Sequence, residues 1–266
     1  MFTPSIDEIK PSELDVKQYE PKSGLNPNFW KEGKLDSRIR LKLLDVSDDF
    51  IEQLNVGWVK PEDIVFTGSL ANYNWHDGSD VDVHIIIDYK KIHKNTKFVK
   101  EYFNSKKEVW MSEHDSLNIK GFPVEFYVED SDDRTDPSGA YSLTKGEWIR
   151  KPVDSNDIRF NENLVKNKAA KYITLVDDIC ENMDGESDRH KSEELSKKLE
   201  KIYERLKNYR KEGLKSSKKE MSTGNILWKV VKHHGTIKKL WDRVNKSYDL
   251  VNSINENKER THFLVD

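Results

Sequence analysis

The chain has a single cysteine, Cys180, among 266 residues. No intrachain disulfide can form, and one thiolate cannot build a cysteine-based zinc site. That usage predicts a reducing, intracellular setting, so we expect a cytoplasmic protein. No apolar run approaches the roughly 20 residues that a membrane-crossing helix needs, and no membrane partner is expected. The most β-rich run, Val81 to Ile87, is itself interrupted by Asp82 and His84. The opening residues MFTPSIDEIK have no basic segment followed by an apolar one, which predicts no secretory signal. Internal repeats and low-complexity tracts are also lacking. Apolar residues make up only 35% of the chain, no more than charged ones, but 7 Trp, 10 Tyr and 10 Phe supply the core volume that aliphatic residues do not. A disordered chain rarely carries so many rings, so a folded, charge-covered protein is expected.

The charge is unevenly spread. Residues 186–246 hold 18 Lys and Arg against 9 Asp and Glu, whereas residues 1–185 hold 25 against 35. An acidic front and a basic back point to an anionic partner for the back, with a solvated lysine-rich face as the plainer alternative.

The breakers Pro4, Pro11, Pro21, Gly24, Pro27 and Gly33 predict an irregular N-terminal arm over 1–34. Leu35 to Leu54 repeats apolar residues near a 3.6 period and predicts a helix, with Asp36 or Ser37 as cap. Short strands are expected at Asp63–Thr67 and Val81–Asp88, and a helix at Lys94–Ser105. Two strands, 117–120 and 124–129, should bracket a turn at Gly121-Phe122-Pro123. Residues 140–143 and 147–150 should form a second hairpin across Lys145-Gly146. After Pro152 the pattern turns to helices. One face runs from Leu164 to Met183, a second from Leu195 to Tyr209, and a third from Ile226 to Val251 with a break at Gly235. The expected class is α+β, a mixed core over 35–152 followed by a helical domain over 153–266.

Two short pieces carry chemistry. The first is Phe66-Thr67-Gly68-Ser69-Leu70, and the second is Ser79-Asp80-Val81-Asp82-Val83-His84. Side chains alternate along a strand, so Asp80 and Asp82 project from one face, about 7 Å apart at their Cα atoms. Their oxygens can converge on divalent cations such as Mg²⁺, which takes oxygen ligands and keeps substrate phosphates in its shell. Two such ions about 4 Å apart can hold the attacking and leaving oxygens of a phosphoryl displacement. Gly68-Ser69, directly after a strand, lets backbone approach a ligand closely. If a helical turn begins at Ser69, its free N–H groups cradle an anion, and the Ser69 hydroxyl adds a hydrogen bond. A third carboxylate is expected from a neighbouring strand. Glu125 is the best candidate, because it is a charge inside the apolar run Val124 to Val128 that a metal would compensate. Glu113, Asp115, Glu129 and Asp130 are weaker rivals in turns or at strand ends.

Thr67-Gly68-Ser69, the spacer of ten residues, Asp80-Val81-Asp82-Val83 and a later strand carboxylate resemble the DNA polymerase β-type nucleotidyltransferase superfamily. The resemblance covers about residues 36–150. It implies a small mixed sheet with helices and Mg²⁺- or Mn²⁺-dependent transfer of a nucleoside monophosphate from an NTP, releasing pyrophosphate. It further implies that Gly68 and Ser69 hold the triphosphate and that Asp80 and Asp82 ligate the metals. Glu125 would be the third acid, which also activates the acceptor hydroxyl, although many members have Asp there. The core with its 140–152 hairpin and Trp148 also looks like uncharacterised nucleotidyltransferases of large bacteriophages. Neither resemblance names the base or the acceptor. The basic helices favour an RNA 3′ end or a nucleotide as acceptor. A catalytically inactive RNA-binding module and a toxin–antitoxin component modifying tRNA or protein are the alternatives.

Other residues are read more plainly. His84 shares the Asp80/Asp82 face and is expected to be hydrogen-bonded beside the site. The loop Asn72 to Asp77 either touches the base or packs on the surface. His233 and His234 point about 100° apart on a helix and make a poor metal pair. Trp228, Trp241 and Tyr248 read as bundle core.

Overall fold

The computed structural model describes residues 8–152 and 159–253. Pro4 in the expected arm, residues 153–158 at the expected start of the helical domain and the end of the chain lie outside these. Mixed α/β structure is followed by helices, as expected for the α+β class. The chain divides into two compact units, the described residues of 17–159 and those of 1–16 with 160–266. These boundaries differ from the expected ones at 34 and 152.

In the first unit six strands form one sheet in the order β5-β6-β4-β3-β7-β8. They are β3 (Asp63–Thr67), β4 (Val81–Ile87), β5 (Asn118–Ile119), β6 (Phe122–Asp130), β7 (Ala140–Ser142) and β8 (Glu147–Arg150). β4 and β6 run parallel, joined through helix α2 (Thr96–Glu113), while the other pairs are antiparallel. Helix α1 (Ser37–Gln53) starts where the Asp36 side chain accepts from the Arg38 N–H, and α2 starts where Asn95 accepts from Phe98.

The alternation in β4 divides the sheet into two faces. Val81, Val83, Ile85 and Ile87 join Phe66, Val124 and Phe126 in a core that takes Ile39, Leu43, Val46 and Phe50 from α1 and Val99, Phe103 and Trp110 from α2. Phe126 stacks on Phe50 with centroids 4.8 Å apart. The opposite face carries Asp82, His84, Glu125, Tyr127 and Glu129, with a small apolar patch of Val65, Ile86 and Ala140.

Residues 17–35 are not an irregular arm throughout. A two-stranded hairpin, β1 (Trp30–Lys31) with β2 (Lys34–Leu35), turns through Glu32 and Gly33, both at positive φ. Phe29 and Trp30 are buried in the sheet's core. Trp30 stacks between Phe66 and Trp148, at 5.8 and 4.4 Å, and its indole N–H donates to the Leu70 carbonyl at 2.7 Å. Trp30→Ala should therefore destabilise this unit by about 3–5 kcal/mol, the usual cost of removing a buried aromatic ring. Urea titration of the variant would measure it, and a change below 1 kcal/mol would mean the hairpin is peripheral.

In the second unit α3 (Glu162–Met183), α4 (Arg189–Lys215), α5 (Thr223–His233) and α6 (Thr236–Asn252) pack on one another. Asn161, Asp188 and Ser222 cap the first three, and Gly235, in the left-handed conformation, separates α5 from α6. The aromatic stripe is only partly core. Trp228 is buried, but Tyr248 is 69% exposed and Trp241 36%.

Candidate active site

Asp82 lies in the second position of β4. Its register partner on β3 is Thr67, and on the parallel strand β6 it is Glu125. Partners on adjacent strands lie about 4.8 Å apart, so Asp82 and Glu125 are side-by-side neighbours on the polar face. Asp80 stands two residues before Asp82, just ahead of the strand. Tyr127 registers the common neighbourhood of these acids. Burial first, then the charges of Glu125 and Asp82, the hydrogen bond to Glu125 and the charge of Asp80 push its phenol far above the ordinary range.

Gly68 follows β3 with φ 75° and ψ −161°, a conformation essentially confined to glycine. A Cβ there would lie 1.8 Å from Asp82 Oδ2 and 2.7 Å from its Cγ. The glycine thus lets the strand end pass directly against the Asp82 carboxylate. Ser69 opens a single 3₁₀ turn, Ser69–Ala71, not an α-helix. The expected helical cradle is reduced to that one turn. The Ser69 hydroxyl donates to Ser79 Oγ at 2.8 Å, and Ser79 Oγ also accepts from the His76 N–H. Ser69 thereby anchors the loop that leads into Asp80.

That loop is packed rather than splayed. Asn72, Asn74, His76 and Ser79 are buried, His76 meets Tyr19 edge-on, and Trp75 donates to the Gly24 carbonyl. His84 bonds Glu129 through Nδ1 at 3.1 Å, beside the site as expected. Burial raises the Glu129 carboxyl, but the bonds from His84 and Thr135 outweigh it and hold the group below its usual value.

The expected ligand set of Asp80, Asp82 and Glu125 is not closed. Among the described residues no three His, Cys, Asp or Glu side chains converge in a metal-holding group. Glu125 is engaged by its own neighbours. Its Oε2 accepts from the Tyr127 hydroxyl and lies 3.9 Å from Lys107 Nζ, which also sits 3.5 Å above the Tyr127 ring. The donors are nonetheless of the oxygen type that a hard divalent cation takes. They are carboxylates on one face, and Gly68 keeps backbone close to one of them without a Cβ. Lys107 and Tyr127 were not singled out from sequence. The period-two alternation of β6 was the signal that could have found Tyr127, since it puts Tyr127 on the Glu125 face.

The basic stretch is partly spoken for. Lys197 pairs with Glu193, Lys207 with Glu204, and the Arg210 guanidinium lies over Trp228. Lys198, Lys201 and Arg205 are exposed along α4. No described helix is long and apolar enough to cross a membrane.

No protein-family model matches the chain, and no curated protein matches it. Among solved structures it is similar to a STING-associated CdnE c-di-GMP synthase from Capnocytophaga granulosa. The identity is 12%, the TM-score 0.21, and the match covers 81% of this chain and 84% of that one. So slight a likeness says nothing about the chemistry of this chain, which has to be read from its own residues.

Proposed function

We propose that the protein is a metal-dependent nucleotidyltransferase that moves a nucleoside monophosphate from an NTP to an acceptor hydroxyl and releases pyrophosphate. The observation that carries this is the register of Asp82 on Glu125 across two parallel strands, with Gly68 against the Asp82 carboxylate. Asp80 and Asp82, joined by Glu125, would hold Mg²⁺ or Mn²⁺, which when bound neutralises the charge building on the phosphates. Gly68, whose backbone lies against the Asp82 carboxylate, would border the triphosphate, and the Ser69 hydroxyl, turned from Ser79, would donate to it. Glu125 would take the proton of an acceptor hydroxyl. The acceptor we favour is an RNA 3′ end or a nucleotide, because Lys198, Lys201 and Arg205 present exposed positive charge along α4.

Incubation with each α-labelled NTP, Mg²⁺ or Mn²⁺ and total cellular RNA tests the reading. Label should move into RNA or into a short oligonucleotide, and the yield on RNA should fall steeply with salt. Label on protein would move the acceptor to a polypeptide. No transfer under any combination, with RNA still bound, would favour an inactive RNA-binding module.

A further inference from the structure

Asp82 and Glu125, side by side on one sheet face with Asp80 just ahead of the strand, are like charges that repel one another. Lys107 meets one member of this group, Glu125. Past Val124, β6 is paired only on the β4 side, because β5 reaches no further than its partners Phe122 and Pro123. A side chain from α2 can therefore reach Glu125 and Tyr127 around that open edge, even though α2 packs on the other face. The Lys107 ammonium lies over the Tyr127 ring, where cation–π attraction holds it, and within ion-pair distance of Glu125 Oε2. The Tyr127 hydroxyl donates to that same oxygen. Glu125 is thus gripped on one oxygen from two sides.

We infer that Lys107 is a built-in counterion of the carboxylate cluster, which stands in for a divalent cation in the metal-free protein and is opposed to one when it binds. Tyr127 is the positioning residue that keeps the ammonium and Oε2 together. This rests on the metal-binding part of the proposed function. It adds a residue from outside the Gly-Ser and Asp-X-Asp pieces, and it gives the chain a means of staying folded without metal at a cost in metal affinity.

The test measures Mn²⁺ binding to the full chain by calorimetric titration, and melting temperature in EDTA and in Mn²⁺. Lys107→Met should bind Mn²⁺ about three- to tenfold more tightly, since a like charge near the ion is removed. In EDTA it should melt several degrees lower than wild type, and saturating Mn²⁺ should restore most of the loss. Lys107→Arg, which keeps the charge, should stay near wild type in both measurements. In a Glu125→Gln background the affinity gain from Lys107→Met should shrink, because the pair has lost one member. An unchanged or weaker Mn²⁺ affinity for Lys107→Met would overturn the inference. So would an equal loss of melting temperature with and without metal, which is what a purely packing role gives. If wild type binds no Mn²⁺ at all, the metal site itself fails and the inference with it, a result distinct from wild-type binding that Lys107→Met leaves unaltered.

Discussion

Asp82→Asn should lower nucleotidyl transfer by about a thousandfold or more, on the scale seen when a charge-stabilising group is taken from a reacting centre. Asp82 is the member of the cluster with a neighbour on each side, Thr67 on β3 and Glu125 on β6, and Gly68 packs on its carboxylate. The substitution keeps the shape of the side chain and removes its charge. Asparagine can still accept through its carbonyl oxygen, so the strand end is not left with a hole. Without metal the variant also loses one of several mutually repelling charges. Its melting temperature in EDTA should match or slightly exceed that of wild type, while transfer from α-labelled NTP is lost. Asp80→Asn should behave alike. Stability and activity then move in opposite directions, which separates a functional carboxylate from a structural one. Near-wild-type turnover by either variant would defeat the metal-dependent reading.

Local periodicity explains which parts of this fold can be read from sequence. The apolar repeat from Leu35 to Leu54 corresponds to α1, and the alternation of Val81 to Ile87 to β4, because each buries one face against a single core. Other parts depend on contacts far apart in the chain. The β1–β2 hairpin has strands of only two residues, too short for any period, and its proline- and glycine-rich surroundings suggest an irregular arm. What fixes it is Trp30, locked between Phe66 and Trp148. The turn expected at Gly121-Phe122-Pro123 lies one residue earlier. Lys120 and Gly121 both take positive φ, and Pro123 sits inside β6. α2 continues to Glu113 rather than ending at Ser105, because Trp110 lies on the same buried face as Phe103 beyond a run of charged residues. That error also concealed Lys107, which lay past the expected end of the helix. At the site, alternation alone puts Asp80 and Asp82 on one face. The alignment of Asp82 with Glu125 is the register of two parallel strands separated by a helix, and no local pattern encodes it.

Gly68→Ala should cut transfer by about a hundredfold, the cost of moving a reacting group by an ångström or so, and should weaken NTP binding while sparing most of the fold. Two separate costs act at this residue. One is backbone strain of about 1–3 kcal/mol, because alanine does not readily adopt φ 75° with ψ −161°. The other is collision, since the new methyl group would fall on the far end of the Asp82 side chain, 1.8 Å from Oδ2. A carboxylate end can swing aside more cheaply than backbone can move, so the predicted damage is a displaced Asp82 rather than an unfolded sheet. The two costs are separable by a double-mutant cycle. In an Asp82→Ala background the collision with the carboxylate is gone, and Gly68→Ala should then destabilise by little more than the strain. Chemical denaturation of the four proteins measures the coupling, and titration with a non-hydrolysable NTP measures the binding. Coupling near zero would mean that Gly68 serves only its own turn. An NTP affinity unchanged by Gly68→Ala would count against a triphosphate beside Asp82, because the methyl group displaces the carboxylate that would border it.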